Sequence, residues 1–150
     1  MTYRRTVVVA ALLALAACGE KKFDPPDRSQ RVDDAEGRYS EALFDTVAWA
    51  DTLQRARAGN EVYASRCRDC HGPLGAGDTE YARARGFTVP SLVEPDWRYA
   101  PSLDSVRHRI FVGHEEGMPT WGVAGISPRE IDGAAYYVLE RLRPEVLGRR

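Results

Sequence analysis

Apolar residues recur at helical spacing in three stretches of this chain and alternate in none of them. The first stretch opens at Asp51, which with Gln54 three positions on makes a capping-box-like start. The spacing predicts a helix to about Cys67, with Leu53, Ala56, Gly59, Val62 and Tyr63 on its buried face. The second spans about Ser102 to Val112, with Leu103, Val106, Ile110 and Phe111 inward. The third begins at Ser127-Pro128-Arg129-Glu130, an N-cap serine, a first-turn proline and a glutamate at the third position. Ile131, Ala135, Val138 and Leu142 then form a continuous stripe, and Pro144 and Gly148 are expected to mark its end. Gly133 costs about 1 kcal/mol inside that helix without outweighing these signals. With no strand pattern, the expected fold class is all-α.

The pattern before Asp51 is different. Arg4 and Arg5 precede an apolar run, Thr6 to Ala14, too short to span a bilayer. Leu15-Ala16-Ala17-Cys18-Gly19 follows. It resembles a bacterial lipobox, so residues 1–17 read as a lipoprotein signal peptide and Cys18 as the lipidated residue. Twin arginines could indicate Tat export, but the residues around them match that signal poorly. Residues 18–40, polar and containing Pro25-Pro26, read as a flexible tether, with a reach of roughly 25 Å for about 20 residues. Residues 41–50 carry Leu43, Phe44, Val47 and Trp49, too many apolar groups for a free linker. They are expected to pack on the domain with Trp49 as anchor. Residues 51–150 form that domain.

Charge narrows the partners. The chain has 21 basic and 22 acidic residues; without residues 1–17 two basic groups are lost and the formal charge falls to −3. So weak a field argues against nucleic acid.

The decisive chemistry is Cys67-Arg68-Asp69-Cys70-His71. CxxCH is the attachment signature of c-type haem. Two thiols three positions apart can add to two vinyl groups on one porphyrin edge, and the adjacent imidazole then reaches the iron. A thioredoxin-like pair would need a βαβ context that is missing here, and zinc would need four ligands. His108, His114 or a carboxylate would have to complete such a set, in no finger-like spacing. Cysteine arithmetic closes: one Cys for lipid, two for haem.

For the second axial position, Met118 is the sole thioether once residues 1–17 are removed, and it lies in Gly117-Met118-Pro119. That bracket interrupts regular structure and can hold a side chain towards a ligand. A thioether opposite imidazole raises reduction potential. Core filler is the alternative for a lone Met. His114 is the competing ligand, while His108 falls on the polar side of its helix.

These two motifs make residues 50–143 resemble a class I cytochrome c, a small helical domain wrapped around one covalently attached haem. The resemblance implies that Gly59 and Tyr63 let the first helix cross the last, with Gly59 against Tyr137. It also implies that Val89-Pro90-Ser91-Leu92 is the loop beneath the haem, the Pro90 carbonyl accepting from the other ring nitrogen of His71. Pro73 and Pro95 are alternatives. Trp97, Tyr99 and Trp121 could wall the haem, bond its propionates, or simply pack. The function implied is electron transfer, with the chain a carrier and not an enzyme, between a donor and an acceptor redox protein. The leading expectation is a lipid-anchored shuttle on the periplasmic face of a bacterial membrane. Gly19 after the lipid site leans towards the outer membrane. The alternative is a bound subunit of a respiratory, photosynthetic or dehydrogenase complex, and a haem peroxidase or ligand sensor comes third.

Overall fold

A computed structural model describes residues 27–149. The expected signal peptide, Cys18 and residues 19–26 of the expected tether lie outside the described residues. The order is α1 (Arg28–Arg38), a 3₁₀ turn (Glu41–Phe44), α2 (Thr52–Val62), α3 (Arg68–His71), α4 (Glu80–Ala84), α5 (Leu103–Val112), α6 (Pro128–Tyr137) and α7 (Arg143–Leu147). Two π-helical turns, Tyr63–Cys67 and Val138–Leu142, join α2 to α3 and α6 to α7. No strand occurs among the described residues, in keeping with the all-α expectation.

Helix starts follow local chemistry. The Asp51 carboxylate accepts from the Gln54 N–H at 2.7 Å and opens α2. At α6 the Ser127 hydroxyl accepts from the Glu130 N–H, and the Glu130 carboxylate accepts from the Ser127 N–H at 2.9 Å. Caps of this kind each contribute about 1 kcal/mol.

The crossing of α2 over α6 frames the domain. A Cβ on Gly59 would lie 2.0 Å from the Gly133 carbonyl oxygen and 2.7 Å from Tyr137 Cβ. Gly59 therefore meets Gly133 first and Tyr137 second, and the helix-weakening Gly133 is explained by backbone approach. Leu53, expected inside, is 52% exposed. It shares its helix stripe with exposed Arg57 and Glu61, at i+4 and i+8, and not with buried Ala56, Gly59 and Tyr63. Pro144 does not end the last helix. The Arg143 N–H reaches back five residues to Val138, and this wide π turn admits the proline in the first turn of α7.

The largest departure lies at the N-terminal side. Residues 28–38, expected within a flexible tether, form α1, opened by an Asp27–Gln30 capping box. Ala35 is fully buried, and Val32 and Tyr39 pack against the cluster containing Phe111. The Tyr39 hydroxyl donates to Asp104 at 2.7 Å. His108, expected in solvent, instead sits edge-on to Tyr39 and 2.8 Å from Glu36. The apolar spacing of Val32, Ala35 and Tyr39 is too sparse to register as a stripe; burial against α5 makes it sufficient.

Leu43, Phe44 and Val47 pack into the main core cluster. Phe44 is buried. Trp49 donates from Nε1 to Asp132 at 2.6 Å, and the Arg129 guanidinium lies 3.8 Å over its ring. Asp132 is 1% exposed and also receives the guanidinium of Arg55 (2.6 and 2.8 Å) and that of Arg107 (Nε at 3.0 Å). Burial opposes its charge, but the hydrogen bonds from Arg55, Arg107 and Trp49 prevail and hold its carboxyl below the usual range.

Candidate haem site

The π turn Tyr63–Cys67 delivers the first cysteine, and α3 presents Cys70 and His71 one turn on. π turns inside helices are frequent at functional sites. The Tyr63 hydroxyl donates to the Gly72 carbonyl at 2.7 Å and fixes the end of α3. The chain then turns back: the Gly77 N–H donates to the His71 carbonyl at 2.9 Å, and the Leu92 N–H donates to Gly75 at 2.7 Å. These bonds bring the Val89–Leu92 loop beneath α3.

Cys67, Cys70, His71, Pro90 and Met118 all line one cavity of about 310 Å³. Phe87, Leu92, Val106, Ile110, Ala134 and Val138 give it an apolar wall. Exposed Arg66, Arg98, Glu116 and Pro119 stand at its rim. Trp97, Tyr99, Trp121 and the competing ligand His114 line it as well. Pro73 and Pro95 are not among the lining residues.

The cavity electrostatics follow from burial. Cys67 and Cys70 are free thiols. Burial, then the neighbouring Cys70, pushes the Cys67 thiol up to about 12. Burial also lowers His71 to about 4, against the smaller opposing effect of the Pro90 carbonyl, so the imidazole is neutral at ordinary pH. Its buried Nδ1 falls outside normal hydrogen-bond geometry, yet the Pro90 carbonyl lies near enough to act on its charge. A neutral imidazole with an available lone pair is the form that binds metal. The Met118 loop is closed by the His114 N–H to the Met118 carbonyl at 3.0 Å and by the Gly117 N–H to His114 at 3.1 Å. Gly117 has φ +128°, and a Cβ there would lie 2.8 Å from the Phe87 ring. Only glycine fits that corner.

Two thiols, a neutral imidazole and a thioether around an apolar cavity form a donor set that fits an iron porphyrin. Among the described residues no three His, Cys, Asp or Glu side chains converge on a metal position, so the zinc alternative finds no ligand set. Residues 54–138 match the family model for cytochrome c oxidase, cbb3-type, subunit III. The chain belongs to that family. It is thereby a c-type cytochrome, and the family implies covalently bound haem c. It is 29% identical over 92 residues to the cbb3-type cytochrome c oxidase subunit CcoP of Rubrivivax gelatinosus, covering 61% of this chain and 28% of that protein. It is 32% identical over 90 residues to CcoP of Rhodobacter capsulatus, covering 56% and 28%. The FixP subunit of a Bradyrhizobium strain is 32% identical over 107 residues, covering 65% and 34%. The chain thus spans about a third of the length of these relatives. No solved structure matches it significantly. The family match begins within α2, leaving α1 and the Trp49 segment outside it.

Sequence reasoning missed two residues that shape the site. Arg109 lines the cavity and donates to the Gly113 carbonyl at 2.8 Å. Arg143, 6% exposed, donates to the carbonyls of Leu92 and, at 3.1 Å, Glu94. Its guanidinium lies 5.2 Å from the Trp97 ring, tying α7 to the loop under the cavity. Neither carries a sequence signal, because an arginine in a helix ordinarily reads as a solvated face.

Proposed function

We propose that this chain is an electron-transfer cytochrome working as a subunit of a membrane-bound respiratory complex related to the cbb3-type oxidases. One haem c would be bonded to Cys67 and Cys70 and held axially by His71 and Met118. The observation that carries the reading is the convergence of those four side chains on one apolar cavity. Haem supplies reversible one-electron chemistry when bound; the protein's part is to exclude water, orient the neutral His71 and set the potential. His71, Pro90 and the Met118 loop would do the orienting. A Cys67 thiol held near 12 is a poor nucleophile, which favours attachment before the domain closes.

The subunit reading takes precedence over a free shuttle because the named relatives are oxidase subunits. The lipid on Cys18 and a periplasmic location remain part of the proposal. No helix among the described residues is long and apolar enough to cross a membrane.

The test is purification of the native protein in mild detergent from cells competent in cytochrome maturation. The expected result is a haem-bearing chain, acylated at Cys18, in stoichiometric association with an oxidase core. Met118→Ala should keep the covalent haem but lower the midpoint by on the order of 100 mV, within the ~0.8 V that axial ligands command. An unmodified apoprotein would overturn the haem reading. Rapid, complete carbon monoxide binding by the reduced wild type would instead favour a ligand-binding enzyme or sensor.

A further inference from the structure

Among the described residues, two buried polar atoms of the cavity residues lack a hydrogen-bond partner: His71 Nδ1 and Arg109 Nε. The first belongs to the iron-binding set; the second has no role in it. Arg109 sits in the last turn of α5 and lines the cavity, with its guanidinium 5.3 Å from the centre of the Tyr99 ring. One terminal nitrogen already donates to the Gly113 carbonyl, at the head of the loop that ends in Met118. A buried guanidinium nitrogen without an acceptor is costly and calls for a partner. Guanidinium has five donors in a rigid fork, so it can hold a backbone carbonyl and a carboxylate together.

We propose that Arg109 is a positioning residue that binds a carboxylate of the porphyrin inside the cavity while holding the Gly113 carbonyl. It thereby couples seating of the cofactor to placement of the Met118 loop. The acceptor fits on chemical grounds: among the groups a haem brings, only its propionates are anionic and able to accept from Nε. Tyr99 supplies the other face of the seat through its ring. This inference rests on the haem reading above but not on which complex the chain joins.

The test compares the holoprotein with Arg109→Gln and Arg109→Lys by resonance Raman spectroscopy, redox titration and thermal persistence of the near-infrared methionine-to-ferric-iron band. For Arg109→Gln, the propionate bending mode is expected to shift, and the reduction equilibrium to move about tenfold towards ferric, or about 59 mV. The methionine band should also disappear at lower temperature. Arg109→Lys keeps the charge but has a single donor point. It should recover most of the potential and still shift the propionate mode. A purely structural arginine would weaken the methionine band and leave the propionate mode in place; that result overturns the proposal. If Arg109→Gln fails to mature, Arg109→Lys decides alone, and an unshifted propionate mode there refutes the idea. A wild-type protein without haem would bring down the functional reading instead.

Discussion

Two buried polar centres divide this domain, and they differ in completeness. Around Asp132 every strong group finds a partner within the chain: two guanidiniums and an indole N–H meet one carboxylate. In the cavity, by contrast, His71 Nδ1 and Arg109 Nε are left without acceptors, and two thiols stay free. The first centre is finished by folding. It fastens Trp49 from the N-terminal segment, Arg55 of α2 and Arg107 of α5 to α6. In the second, the two thiols and Arg109 Nε are the groups the proposed haem would engage, while the Pro90 carbonyl of the chain itself lies near His71 Nδ1.

The contrast can be broken most severely by withholding the cofactor. Without a cofactor the apolar wall of the cavity, from Phe87 to Val138, would face water, and that loss of burial should leave the domain with little net stability. Chain made without cytochrome maturation should lose its near-ultraviolet circular dichroism and bind a hydrophobic dye. Cooperative thermal unfolding of that apoprotein would show that the Asp132 side folds the domain unaided.

The complete centre is tested next. Asp132→Asn leaves two mostly buried guanidiniums short of their charge partner and should cost about 3 kcal/mol at neutral pH. Because the folded carboxyl lies below its ordinary 3.8, its stabilisation is full above that value and is lost as pH falls through the folded pKa. The gap between wild type and variant should therefore close in acid. Urea unfolding at pH 7 and at pH 3 checks this; a gap that stays constant removes the charge argument.

Smaller effects separate the two regions. Gly117→Ala forces a side chain into a positive-φ corner against Phe87 and should cost about 2 kcal/mol. The same change should weaken the methionine band of the ferric protein, which Asp132→Asn should leave in place. Tyr39→Phe deletes the bond to Asp104 and should cost about 1 kcal/mol in thermal unfolding, with no change in midpoint potential. A changed potential there would mean that α1 communicates with the cavity.

Legibility in the sequence followed the range of the interactions. Asp51, Ser102 and Ser127 act on backbone three residues away, so all three helix starts could be read directly. The stripe Ile131, Ala135, Val138 and Leu142 is buried throughout, as its spacing implies. Leu53 misled because a single apolar residue was assigned to a face that its own stripe contradicts. Helix α1 was missed because its burial depends on Phe111 and Asp104, more than sixty residues away.

The signals that point to haem lay in the sequence itself, since CxxCH and Gly-Met-Pro are local motifs that no fold can supply later. Tertiary structure alone decided that Gly59 meets Gly133, that Asp132 collects Arg55, Arg107 and Trp49, and that Arg109 turns towards the cavity. Those choices depend on which helix faces come together. An arginine or aspartate reads the same on any helix until its neighbours remove the water that would otherwise satisfy it.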